Sequence, residues 1–204
     1  MNVLKTYAND LKLRIFILKS KNQKWQKNTD VSQSVSLNKV YIALGTNVGN
    51  WKNNFNQAIR LISKKGVITQ LASVYLSQPY GYEQQHYFYN SAIEIKTNLS
   101  PHGLFSELQI IEKKLQKNKL FVNGPRKIDL DIIFFNKLVL KSRELTIPHY
   151  EVHLRDFVLL PLMEINPFYM HPLKKETISM LYKKIKDKYV FKIKRRRKES
   201  LIVY

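Results

Sequence analysis

The chain has 204 residues, 44% of them hydrophobic, which is enough for one well-buried core and too few for two. No apolar run approaches the roughly 18 residues that a membrane-spanning helix needs, and the lack of cysteine excludes a disulfide scaffold, a thiolate metal site and a cysteine nucleophile. The formal net charge of +20 gathers at the ends, with +5 in residues 1–37 and +9 in residues 170–204 against +6 between them.

Residues 1–37 are poor in acids and rich in Lys, Asn, Ser and Gln. Their one apolar cluster, ending at Ile17-Leu18, runs into Lys19-Ser20-Lys21 rather than into the small residues of a secretory cleavage site. Arg14 is the only arginine for an organelle presequence. A loosely packed basic extension is expected here, on a cytoplasmic protein, with organelle import as the alternative.

Regular patterning begins at Lys39. Val40-Tyr41-Ile42-Ala43-Leu44 reads as a buried central strand, closed by the loop Gly45-Thr46-Asn47-Val48-Gly49-Asn50. Phe55, Ala58, Ile59 and Ile62 recur at helical spacing, and Gly66 stands as a candidate C-cap. Val67 to Leu76 reads as a second strand. The turn-rich Ser77-Gln78-Pro79-Tyr80-Gly81-Tyr82 follows, then an alternating strand over Tyr89–Lys96. Ser100-Pro101 opens a helix with a hydroxyl cap and proline in its first turn. Leu104, Leu108, Ile111 and Leu115 form its buried stripe, with Gln109, Glu112 and Gln116 beside it, toward solvent or a site.

Lys127 to Phe135 is a further strand, with Asn136-Lys137 as a two-residue hairpin turn into Leu138-Val139-Leu140. Val152 to Met163 contains a helix that Pro161 is expected to end. A last amphipathic helix carries Ile178, Leu181 and Ile185, and the basic stretch 192–198 closes the chain. The order is βαββαβ plus additions. It predicts an α+β, ferredoxin-like sandwich: an antiparallel sheet with two helices on one face, the other face open to bind a ligand, and an extra C-terminal hairpin and helices. The expected segments are an extension over 1–37, a domain over 38–168, and a basic helix and tail over 169–204. The stretch after residue 168 is too short for a second catalytic domain.

Asp129 and Asp131 stand two apart on a strand, so both carboxylates share one side while Ile128, Leu130 and Ile132 face the core. Like charges at this spacing repel, and burying them unpaired is costly. Mg²⁺ is the natural partner, because it takes carboxylate oxygens together with phosphates. Arg126 can fork onto phosphate oxygens.

The run Gly124-Pro125-Arg126-Lys127-Ile128-Asp129-Leu130-Asp131-Ile132 resembles the signature of the 6-hydroxymethyl-7,8-dihydropterin pyrophosphokinase family. The likeness covers roughly residues 39–168. It includes Tyr41-Ile42-Ala43-Leu44-Gly45-Thr46-Asn47, Pro79 with Gly81, Tyr89-Asn90 with Ala92, Leu145-Thr146-Ile147-Pro148-His149, and Arg155 with Phe157-Val158-Leu159, Pro161 and Leu162. The resemblance implies transfer of pyrophosphate from ATP to the pterin alcohol, with release of AMP, in folate biosynthesis. It implies two Mg²⁺ ions on Asp129 and Asp131, a possible second role for Asp129 in accepting the hydroxymethyl proton, and catalytic roles for Arg126 and Arg155.

The resemblance further implies a pterin site built from Ser77, Gln78, Tyr80, Phe88, Asn90, Asp129 and Phe157. It implies ATP contacts from Gln109, Glu112, Lys117, Arg126, Thr146, His149, Tyr150 and Arg155. A monomer acting on small molecules is expected, without membrane or nucleic-acid partners. Lys117 and Lys119 replace arginines common in the family's mobile loop, and Asn123 stands where an aromatic can occur. Lysine keeps the charge but not the bidentate fork, so a catalytically weakened relative is one alternative. A ferredoxin-like nucleic-acid-binding protein is the other, and it requires exposed aromatics on the sheet face.

Overall fold

A computed structural model describes residues 36–115 and 124–194 of the chain. The expected extension over 1–37 lies almost wholly outside these residues, as do Gln116, Lys117, Lys119, Asn123 and the end of the basic tail.

Strand β1 (Asn38–Thr46) is central. It pairs antiparallel with β4 (Phe88–Thr97) on one side and with β5 (Asp129–Phe135) on the other. Helix α1 (Trp51–Ile62) follows β1, and its cap is Asn50, whose side chain accepts the N–H of Asn53 at 3.1 Å. Strands β2 (Val67–Leu71) and β3 (Val74–Ser77) both pair with β4, so the order β5-β1-β4-β3 is that of the expected βαββαβ unit. Helix α2 (Pro101–Lys114) starts on Ser100, whose hydroxyl accepts the N–H of Gly103, as its sequence predicts.

The expected single strand over Val67–Leu76 is two. The chain breaks at Ala72-Ser73 because Glu164 seizes it: the Ser73 N–H donates to Oε2 at 2.9 Å, and the Ser73 hydroxyl to Oε1 at 3.0 Å. Gly66 is not a C-cap, since α1 ends on Ser63. Its role is close approach: a Cβ there would lie 2.5 Å from the Lys96 carbonyl oxygen.

Asn136-Lys137 does form a turn, with Asn136 at φ 48°. It does not build a hairpin on β5. Asn136 Oδ1 accepts the Lys39 N–H and its amide donates to Asn38, which turns the chain off the sheet. The hairpin is instead β6 (Leu140–Lys141) with β7 (Thr146–Ile147).

One core lies between the sheet and α1 and α2, around Ile42, Leu44, Ile93, Ile132, Ile59 and Leu108. The opposite face is not open. A 3₁₀ turn (Val152–Leu154) leads into α3 (Asp156–Ile165), which packs there with α4 (Ile178–Lys184) in a second core containing Tyr41, Ala92, Ile133, Leu159, Leu162 and Leu181. Both faces of β4 are therefore buried, at Ile93 and at Ala92. Pro161 lies inside α3 rather than at its end.

A further strand, β8 (Val190–Lys194), pairs with β3 where the sequence suggests only tail. The described part of the C-terminal segment thus joins the domain through α4 and β8. None of the described helices is long and apolar enough to cross a membrane.

Candidate active site

Helix α3 leaves one corner of its face uncovered, at the end of the sheet where β1 exits and β4 and β5 enter. In the register, Gly45 on β1 is opposite Asn90 on β4 and Asp129 on β5, and Ala43 is opposite Ala92 and Asp131. Cross-strand partners share a face. Asp129, Asp131 and Asn90 therefore project to the α3 side, while Leu130 and Ile132 enter the first core. The spacing of the two aspartates predicts this common side.

The loop after β1 holds the Gly124-Pro125-Arg126 segment in place. The Thr46 hydroxyl donates to the Lys127 carbonyl at 2.7 Å, and Asn47 exchanges bonds with Arg126, N–H to carbonyl at 3.1 Å and Oδ1 from N–H at 2.8 Å. The Asn47 amide also reaches Gln85 and the His86 carbonyl. In sequence Asn47 is part of a turn, and a clamp between three loops leaves no signal in local periodicity.

So fixed, Arg126 places Nε 2.8 Å from Asp129 Oδ2 and its guanidinium 4.6 Å from the centre of the Phe88 ring. Arg155, just before α3, pairs with Glu151 and stands over the rings of Tyr80 (5.1 Å) and Phe157 (5.9 Å). Its Nε is buried without a hydrogen-bond partner among the described residues. Two cationic forks thus border the acidic pair.

Two adjoining clefts occupy the corner. One, of about 340 Å³, is lined by Ser77, Gln78, Tyr80, Phe88, Asn90, Arg126, Arg155 and Phe157. The other, of about 350 Å³, adds Gly45, Asp129 and Asp131 and shares Asn90, Arg126, Arg155 and Phe157 with the first. Asn90 is buried, and its amide donates to Ser77 Oγ at 3.0 Å. Of the residues that the resemblance implies for the pterin, Ser77, Gln78, Tyr80, Phe88, Asn90 and Phe157 line the first cleft, and Asp129 lines the second.

The residues proposed to contact a nucleotide are more dispersed. Gln109 is exposed on α2 and lines neither cleft. Glu112, expected beside the stripe toward solvent or a site, is buried, and its Oε1 accepts the Leu130 N–H at 2.7 Å. It braces β5 between the two aspartates. Thr146 sits on β7 and Tyr150 is exposed. Lys117 lies outside the described residues. His149 is near the site: burial first, then the positive Arg155, pull its pKa down to about 4, against the opposing pull of Glu151 and Asp129. Its Nδ1 accepts the Glu151 N–H at 3.3 Å, which leaves the neutral ring with its proton on Nε2.

The donors at Asp129 and Asp131 fit magnesium rather than a softer metal. They are two hard carboxylates on one side of a strand, with Ala43 and Gly45 opposite them leaving room for a ligand. Among the described residues no group of three or more His, Cys, Asp or Glu could hold a metal, and Mg²⁺ typically takes one or two carboxylates and completes its shell with phosphates and water.

The split βαβ sheet of this α+β fold thus brings paired carboxylates and two arginines to one corner, an arrangement suited to a metal-bound phosphate. Residues 41–167 match the family model of 7,8-dihydro-6-hydroxymethylpterin-pyrophosphokinase, and the chain belongs to that family. It is 41% identical over 130 residues to the 2-amino-4-hydroxy-6-hydroxymethyldihydropteridine pyrophosphokinase of Bacillus subtilis, a match covering 63% of this chain and 78% of the relative. It is 38% identical over 151 residues to a folic acid synthesis protein of Dictyostelium discoideum, covering 74% of this chain but only 22% of that longer protein. The wild-type HPPK-DHPS of Plasmodium falciparum shares the fold, with TM-score 0.60, 19% identity, and 72% of this chain and 44% of that one covered.

Proposed function

We propose that the chain transfers the pyrophosphoryl group of ATP to 6-hydroxymethyl-7,8-dihydropterin, forming the pterin diphosphate and AMP for folate synthesis. One observation carries the reading: Asp129 and Asp131 line the same cleft as Arg126, Arg155, Asn90 and Phe157. The carboxylates, the cations and the ring-binding residues are thus within one small volume.

In this reading the pterin lies between Phe88 and Phe157, with its polar edge toward Asn90 and the main chain of Ser77 to Tyr80. A flat polar heterocycle needs such a pair of apolar faces and a few placed hydrogen bonds. Arg126 and Arg155 hold the triphosphate, and neutral His149 donates from Nε2 to a phosphate oxygen. Gln109, Thr146 and Tyr150 would approach the nucleoside end. Glu112 acts through β5 rather than on the nucleotide.

Asp129 and Asp131 would hold Mg²⁺, two ions in the fullest form of the reading, and the metal would supply neutralisation of the phosphate charge. The hydroxymethyl oxygen attacks the β-phosphorus. The new O–P bond forms as the bond from the bridging oxygen to the β-phosphorus breaks, AMP leaves, and Asp129 is placed to take the hydroxyl proton. Positioning and fixed charge supply most of the rate in such a transfer. The reading is of a monomer in a cytoplasmic setting. The nucleic-acid reading finds little support, because α3 and α4 cover the sheet face that would carry its aromatics.

The test is a coupled assay for AMP, with mass detection of the pterin diphosphate, on wild type and the Asp129→Asn/Asp131→Asn double variant. Product from wild type and its loss by at least about a thousandfold in the variant is expected. Equal product from both would sink the assignment.

A further inference from the structure

Strand β8 lies beyond residues 41–167, the part that matches the family, yet it is tied to the cleft at two points. The Gln78 N–H donates to the Tyr189 carbonyl at 3.0 Å. On the other side, Asp156 Oδ2 accepts the N–H groups of both Tyr189 and Val190 at 2.9 Å. Asp156 is itself almost completely buried, between Arg155 and Phe157 in the chain. The entry to β8 is therefore clamped between two segments that line the cleft.

The side chain of Tyr189 uses that placement. It does not line the cleft. Its ring stands edge-on to Tyr80 at 5.4 Å and to Phe157 at 6.2 Å, and those two rings are 5.8 Å from each other. The three aromatics form a closed triangle, with Arg155 over the Tyr80 and Phe157 faces. Phe157 is partly exposed in the first turn of α3, so without a neighbour behind it the ring would sample several rotamers. Edge-to-face contacts fix ring planes as well as distances.

We propose that Tyr189 is a positioning residue for the pterin site, holding Phe157 and Tyr80 at the angle that receives the flat ring, so that the C-terminal strand of this chain contributes to substrate affinity. The inference rests on the pyrophosphokinase reading above, and it concerns the pterin and not the nucleotide. Losing the triangle removes pre-ordering of the ring wall, which lowers affinity for the aromatic ligand alone.

The experiment is steady-state kinetics of the full chain, varying the pterin alcohol and ATP separately, for wild type, Tyr189→Ala and Tyr189→Phe, with thermal unfolding of each. The expected result is a pterin KM raised about three- to tenfold in Tyr189→Ala, with the ATP KM and kcat within about twofold and Tyr189→Phe close to wild type. An active wild type with an unmoved pterin KM in Tyr189→Ala overturns the inference and leaves the function standing. Equal loss toward both substrates with a lowered unfolding midpoint also overturns it, in favour of a purely structural strand. A wild type that makes no AMP removes the function reading and this inference together.

Discussion

Glu112 accepts the main-chain N–H of Leu130 at 2.7 Å, from a helix on the opposite side of the sheet from the cleft. Leu130 is the residue between Asp129 and Asp131, so the buried carboxylate of α2 fixes the strand position from which both site carboxylates project. Glu112→Ala leaves that buried N–H without its acceptor and should cost about 1–3 kcal/mol of stability. Glu112→Gln retains a carbonyl acceptor and should cost less. Denaturant unfolding of the two variants checks the order, and a larger loss in the glutamine variant would contradict it.

Arg126 is held by its pair with Asp129, by the Gly124 carbonyl and by the face of Phe88. Arg126→Lys keeps the charge but loses the planar fork and the stacking. Removing a charge-assisted contact of about 1.5–3 kcal/mol corresponds to roughly a ten- to hundredfold fall in kcat/KM for ATP. Thermal stability should change little, since the guanidinium lies at the border of the cleft. A lysine variant with wild-type kinetics would show that Arg126 only supports Asp129.

His171 is buried, and its Nδ1 accepts the N–H groups of Leu173 and Lys174, each at 3.2 Å. Burial first, then Lys174 and His153, lowers its pKa to about 4. The unfolded chain, near 6.5, binds a proton that the folded chain refuses. Stability from this group is therefore complete above pH 6.5 and is lost as pH falls toward 4. His171→Asn keeps a side-chain acceptor and removes the titration. Its unfolding midpoint should fall less than that of wild type between pH 6.5 and 4, and parallel curves would refute the assignment.

The sequence was legible where chemistry and period coincide. Asp129 and Asp131 share a side because strands repeat every two residues, and Ser100 caps α2 because its hydroxyl precedes Pro101. It was opaque where one distant side chain decides the path. Glu164 splits β2 from β3, and Asn38 and Lys39 capture Asn136 and move the hairpin onto β6 and β7. The covering of the second sheet face by α3 is hidden in the same way, because Pro161 suggests a helix stop but lies inside the helix. Glu112 is the instructive case at the site: a carboxylate at the edge of an amphipathic stripe reads as facing solvent or a site, and its acceptor bond to β5 accompanies its burial.

Gly45 separates the requirements of the scaffold from those of the site. Its backbone is in a region open to any L-residue, and a Cβ added there would lie 3.7 Å from both Asn90 Oδ1 and Asp129 Cβ. That is ordinary van der Waals contact, so Gly45→Ala should fold, and replacing a strand glycine should leave stability unchanged or raise it by about 0.5–1 kcal/mol. The added methyl nevertheless projects between the amide proposed to read the pterin edge and the carboxylate proposed to meet its hydroxymethyl group. A displacement of this size at a reacting centre can cost on the order of a hundredfold in rate. The expected pair of results is an unfolding midpoint at or above that of wild type and a kcat/KM for the pterin alcohol lowered by at least about tenfold. An alanine variant that is both stable and fully active would mean that the substrate does not pass between Asn90 and Asp129, and the proposed pose would have to be abandoned even if the overall reaction stood.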